Sequence, residues 1–210
     1  MTRLSNSPLV QKGAIVAIDP LVPIPTVIAF QYNPETMSRS LQPDMAGDGG
    51  SKSEALRIEN PPKETIKLKA EFDATDGLET SDAIAVSMGV YPQLSSLEKL
   101  LYPPSLRVIA NMTLAATGII EVIPPAAPFT LFVWGPKRVL PVQLESLTIE
   151  ETAYDERLNP IQAKADLSLR VLSYSDFSVT DPGTFVFLTH QVVKEVMSAI
   201  ATANSIASIF

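Results

Sequence analysis

Cysteine is absent from the 210-residue chain. That excludes disulfide frameworks and thiolate metal sites, and it fits synthesis in a reducing cytosol. Histidine occurs once, at His190. A two-histidine metal site is therefore excluded, and any Ser-His relay has to be built on that single residue. Positive charge is scarce and scattered: 16 Lys and Arg against 23 Asp and Glu give a formal charge of −7. No Lys/Arg run offers the clustered cations that nucleic-acid binding requires. No uncharged apolar run reaches the roughly 20 residues of a membrane-spanning helix. The nearest, VMSAIATANSIASIF at the end, is short and carries Ser, Thr and Asn. The opening MTRLSNSPLVQKGAIVAIDP has neither the apolar core nor the cleavage site of a secretory signal. The expectation is no direct membrane insertion and no ordinary secretion.

What is present is apolar: 46% of residues, with only 19% charged. Charge this low in a chain with ample core material implies that partners cover part of the apolar surface. Eighteen prolines and nine glycines are spread throughout, as expected for punctuation between strands. GAIVAID and TVIAFQY read as apolar strands, separated by PLVPIP, whose prolines forbid a central strand. Residues 44–60, within PDMAGDGGSKSEALRIENPP, read as a long flexible loop.

ETIKLKAEFDAT gives the cleanest strand signal. Ile66, Leu68, Ala70 and Phe72 share one face, and Lys67, Lys69, Glu71 and Asp73 share the other. One buried and one wet face favour an antiparallel sheet. Leu94, Leu97, Leu100 and Leu101 recur at helical spacing, and Pro103-Pro104 stops that helix. Tyr91 and Tyr102 at its borders are expected at core edges. The run from Ser105 to Pro128 is apolar on both faces and fits neither period, although GIIEVI within it reads as a strand. FTLFVWG, RVLPVQLESLTIEETAYDE and NPIQAKADLSLRVLSYSDF then form three consecutive strands. The middle one changes phase between Val142/Leu144 and Leu147/Ile149, which predicts a bulge at Glu145 to Leu147. DERLNP closes the last hairpin, and from Asp-Pro-Gly onward the tail reads as one helix. The expected architecture is mainly β with minor α: a β domain over 1–180 with one flanking helix, and a C-terminal helical extension over 181–210.

No catalytic constellation emerges. His190 sits within the final helix and reads as a surface or interface histidine. Glu150-Glu151 and Asp155-Glu156 lie near a hairpin tip, where solvated carboxylates are expected. GDGG lacks the helix and Lys-Ser/Thr of a phosphate loop, and Asp44, Asp48 and Glu54 miss the EF-hand spacing. Trp134 has no basic groove around it in sequence, so a packing or turn role is expected. No cofactor, no metal and no enzymatic activity are expected.

Three stretches together carry a resemblance: FQYNPETMSRSLQP, ALRIENPPKETIKLKAEFDATDGLE and FTLFVWGPKRVLPVQLESLTIEETAYDERLNPIQAKADLSLRVL. They resemble tube-type proteins of extracellular contractile injection systems, phage-tail-like particles. The likeness is to the baseplate adaptors that carry a LysM module after their tube domain. The matching features are the strand end Phe30-Gln31-Tyr32-Asn33-Pro34, the Trp134-Gly135 turn, and the restart Pro160-Ile161-Gln162-Ala163. The resemblance spans about Pro23 to Phe177. An apolar helix stands where the LysM module would follow, so peptidoglycan binding is not carried over. The resemblance implies a phage tail-tube-like β-sandwich or half-barrel. It also implies a hexameric ring of identical copies joining the inner-tube protein to the hub and spike, with possible sheath or baseplate contacts. A monomeric β-sandwich binding module is the alternative, and a particle-tethered hydrolase is a third class.

Within that reading, Phe30 and Tyr32 share a strand face and fix the turn that Asn33-Pro34 begins, with an inter-ring contact as the sharper alternative. Asp155, Arg157, Asn159 and Pro160 mark a hairpin tip suited to axial contact, as is the loop from Met45 to Asn60. Val192, Val196 and Ile200 lie on the apolar stripe of the final helix, a docking element for a neighbouring ring; packing on its own domain is the other reading.

Overall fold

In the computed structural model, residues 11–19, 24–45, 58–116 and 127–207 are described. Seven strands build one antiparallel sheet: β1 (Ala14–Ile18), β2 (Thr26–Ala29), β3 (Met37–Met45), β4 (Ile58–Asp73), β5 (Phe129–Val133), β6 (Val139–Tyr154) and β7 (Pro160–Val171). Their order is β2-β1-β5-β6-β7-β4-β3. The helices are α1 (Thr75–Glu79), α2 (Ala83–Met88), α3 (Tyr91–Glu98), α4 (Ser105–Ala116) and α5 (Pro182–Ala207). The protein is mainly β with minor α. The strands form one continuous sheet rather than the two of a sandwich. Four helices precede the C-terminal one among the described residues, where the sequence announced one.

The alternation read from β4 is realised: Ile66, Leu68, Ala70 and Phe72 are buried, facing Ala163, Ala165, Leu167 and Leu169 of β7 in register. The phase change in β6 is also real. Leu144 pairs with Leu169 and Ser146 with Ser168, leaving Glu145 as the extra residue. The bulge restores the inward parity, so Leu147 and Ile149 pack on the core beyond it. β4 and β6 each run 16 residues, about 50 Å if straight.

The sheet curls. β2 lies at one margin and β3 at the other, yet only residues 30–36 separate them. Eight peptide steps from Ala29 to Met37 span at most about 28 Å. Within this connection Gln31 hydrogen-bonds Asp73 at the end of β4, beyond the last β3 pair at Leu68, so the connection bridges β2 to the free end of β4. Inside the curl, Val90, Leu94, Leu97 and Leu100 of the α3 region bury against Ile15, Phe132, Leu140 and the β4 and β7 residues in one core cluster. Leu101, expected on the same helix face, is exposed because α3 ends at Glu98. Tyr91 and Tyr102 are likewise exposed rather than at core edges.

The chain from Ser105, unassignable by period, is helical as far as Ala116. The GIIEVI segment and residues 46–57 of the expected loop lie outside the described residues. At the loop's two ends, Met45 already belongs to β3 and Ile58 to β4, so the paired strands reach further than expected.

The α2–α3 junction is where the helices lock onto the sheet. The Val90 N–H donates to the Pro160 carbonyl at 2.8 Å. Gly89 adopts φ 58°, and a Cβ there would lie 2.0 Å from the same carbonyl oxygen. Gly89→Ala is expected to destabilise the fold by at least about 1–3 kcal/mol, read as a lowered urea midpoint. An unchanged midpoint would show that the helices are not seated on β7 in this way.

Candidate functional site

The strand end at Asn33-Pro34 is a corner built from side-chain amides. β2 ends at Ala29, earlier than the sequence suggested, and the Phe30 N–H makes one more bond to the Gly13 carbonyl at 2.9 Å. The Gln31 side chain then crosses to the opposite margin. Its Oε1 accepts from the Asp73 N–H at 2.8 Å, and its Nε2 donates to the Asp73 carbonyl at 2.7 Å. Asn33 reaches back to the first margin, accepting from the Gly13 N–H at 2.9 Å and donating to the Gln11 carbonyl at 2.8 Å. Phe30 is fully buried and Tyr32 is 50% exposed, so the two do not share a face as expected. Phe30 packs on Trp134 at 6.3 Å between centroids, and Trp134 stacks on Phe132 at 5.8 Å. Gly135, at φ 71°, supplies the left-handed residue of the turn that returns the Trp134 N–H to the Arg138 carbonyl. Tyr32, Asn33 and Pro34 line an open pocket with Lys69 and Glu71.

The Asp73 carboxylate is held below its usual range, first by the Thr75 hydroxyl, and it also accepts from the Gln162 amide. It fixes the C-terminal end of β4 beside the Gln31 bridge.

The β6–β7 hairpin tip is tied down rather than simply solvated. Asp155 accepts the N–H groups of Arg157 and Asn159 through one carboxylate oxygen and the Asn159 amide through the other. These bonds hold the Asp155 carboxyl below the usual range, the Asn159 side chain foremost. Asn159 also donates to the Ser87 carbonyl at 3.2 Å, and Pro160 is buried under Gly89. Arg157 and Leu158 remain exposed, Leu158 at φ 63°.

α5 has two different faces. Thr184 and His190 are buried, Phe187 packs on Tyr174 at 5.9 Å, and Lys194 reaches Glu64 at 3.3 Å. The stripe singled out in the sequence faces away: Phe185, Leu188, Val192, Val196 and Ile200 are all exposed. Every described side chain from Glu195 to Ile206 is exposed. The helix therefore packs on its own sheet, as one of the two readings had it, and leaves its apolar stripe exposed. α4 is more extreme. Leu106, Ile109 and Met112 are exposed, Leu106 by 79%.

A second cluster was not singled out in the sequence. Glu64 is only 4% exposed and accepts from Arg39 Nε at 2.7 Å and from Lys194 Nζ at 3.3 Å. Above it opens a cleft of about 580 Å³ between β3, the β5–β6 turn and α5. His190 lines it, 7% exposed, and so is a buried group, not the surface residue its helix position implied. One ring nitrogen, Nδ1, lies 3.3 Å from the Lys137 carbonyl, and Nε2 is buried without a partner. Burial, then Lys194, pushes its pKa below the ordinary value of 6.5. Arg138 beside it is lowered by burial and by Arg39.

The outer face of β6, β7, β4 and β3 is polar. Lys69 pairs with Asp166 and Lys164 with Glu71 directly across β4 and β7, while Ser38, Ser146 and Ser168 line a shallow groove. Such exposed pairs contribute about 0–1 kcal/mol each. Among the described residues, no group of three or more His, Asp or Glu side chains is placed to hold a metal ion. No described helix is long and apolar enough to cross a membrane. No protein-family model matches the chain, and no curated protein sequence is significantly similar to it.

Two outcomes test this geometry. Asn33→Ala removes both bonds to the β1 entry and is expected to cost about 1–2 kcal/mol, read by chemical denaturation. His190 binds its proton less readily folded than unfolded. Its contribution is therefore intact above pH 6.5 and falls away as pH drops through 6.5 toward the folded value. His190→Gln should flatten that part of the stability profile relative to wild type, and identical slopes would place the ring in solvent.

Proposed function

We propose that this chain is a non-enzymatic, tube-type adaptor of a contractile injection particle. Six copies form a ring coaxial with the inner tube and join it to the hub and spike at the baseplate. The observation that carries this reading is α5: a 26-residue helix anchored along one face that turns an apolar stripe to solvent. Exposed apolar area on this scale marks a surface made to be covered. α4 adds a second such surface, so the chain offers two different patches, as a closed cyclic ring requires.

Two further features support the ring. β3 is a nine-residue margin strand, with no partner strand on the side away from β4 among the described residues. An open margin is a liability unless another chain pairs with it. The polar outer face of β6, β7, β4 and β3, with short hydroxyl side chains and cross-strand ion pairs, suits the wall of a water-filled lumen. The mechanism is mechanical: a stiff collar continues the channel and passes the sheath's contraction to the spike.

Light scattering on the chromatographed protein, with negative-stain imaging, is expected to give rings or concentration-dependent oligomers. Val196→Asp combined with Ile200→Asp should leave the folded subunit intact and abolish the assembly. A monodisperse monomer at every concentration, together with normal particles when the chain is deleted, would overturn the reading in favour of a monomeric binding module.

A further inference from the structure

We infer that the cleft between the β5–β6 turn and α5 is a docking site for an acidic, partly apolar segment of another chain. The inference stands on the cleft's own chemistry and does not require the ring.

Charge is the first support. Four cations, Arg39, Lys137, Arg138 and Lys194, line this cleft in a chain whose formal charge is −7. Among the described residues Glu64 is the one carboxylate bonded to them; it pairs with Arg39 and Lys194 and reaches Arg138 only through space. The Lys137 and Arg138 side chains make no hydrogen bond or ion pair among the described residues. Like charges held this close repel, and Arg138 registers that through Arg39. An incoming carboxylate relieves the repulsion, and the guanidinium fork offers it paired donors.

The buried histidine is the second. His190 lines the same cleft, more than nine-tenths buried; with Nδ1 facing the Lys137 carbonyl, Nε2 is an acceptor without a partner among the described residues, which a backbone N–H of the incoming segment completes. Leaving a buried polar atom without a partner is unfavourable. Such an atom is expected where a missing partner normally completes the environment.

The remaining walls decide the class of ligand. Trp134, Val193 and Met197 supply apolar surface around the cations. Along α5 that surface continues onto exposed Val196 and Ile200. A small inorganic anion has no use for such walls. A peptide carrying carboxylates between apolar side chains uses both, with the acids at the cations and the apolar groups on the helix.

The test uses the full chain and a short fluorescein-labelled peptide of repeating Glu-Glu-Leu, followed by anisotropy. Binding is expected, with no binding of the Gln-Gln-Leu counterpart. Lys137→Gln combined with Arg138→Gln should weaken affinity by at least about tenfold. Neither side chain makes a hydrogen bond or ion pair among the described residues, so the thermal midpoint of this variant should not fall below wild type. The proposal is overturned if the acidic peptide does not bind, or if the double variant binds it equally. It is also overturned if inorganic phosphate raises the thermal midpoint through Lys137 and Arg138 while the peptide has no effect, which would make the cleft a small-anion site.

Discussion

The fold depends on one amide that bridges opposite sides of the sheet, from the end of β2 to the end of β4. Gln31 presents an acceptor and a donor in the geometry of a peptide unit, and Asp73 answers with its own N–H and carbonyl. A ladder rung is thereby made by a side chain at the place where the backbone has to turn. Asn33 performs the same substitution two residues later on the β1 side. Pro34 then keeps the chain extended and donates nothing, so the corner does not drift back into pairing. With the two sides bridged at this corner, one sheet face becomes an interior. The Leu94 and Leu97 face of α3 is what fills it.

Much of the strand system was legible because burial on one face writes a period of two into the sequence. β4 and β7 carry that period without a break. In β6 the break itself was informative, because a single extra residue is the only economical way to change parity in mid-strand. The helices were less legible for physical reasons. α1 and α2 are too short to show a 3.6-residue period, although Asp82 caps α2 by accepting from Ile84 and Ala85. α4 is apolar nearly all round, so no stripe stands out. Its start was still marked by Pro103-Pro104-Ser105, a sequence read as a stop when it also serves as a beginning.

The basic cleft was the larger omission. Its members come from β3, the β5–β6 turn and α5, which no local spacing connects. One clue was available. Glu64 falls on the same parity as Ile66, Leu68 and Phe72, and a carboxylate on the buried phase of a strand demands cations from elsewhere. The corner shows the opposite case. Asn-Pro announced a turn, but the partners Gly13, Gln11 and Asp73 are set by the closure of the whole sheet.

The ion triad at Glu64 has a mechanical side. One carboxylate grips Arg39 on the margin strand and Lys194 on the long helix, each through a different oxygen. Beyond Ser198, the last helix residue lining the cleft, the helix continues with exposed side chains for two further turns or so. That outboard length is a lever arm, and Glu64 is its fulcrum. A load on that outboard length would pass through Lys194 and Glu64 to Arg39, and so to the margin strand β3.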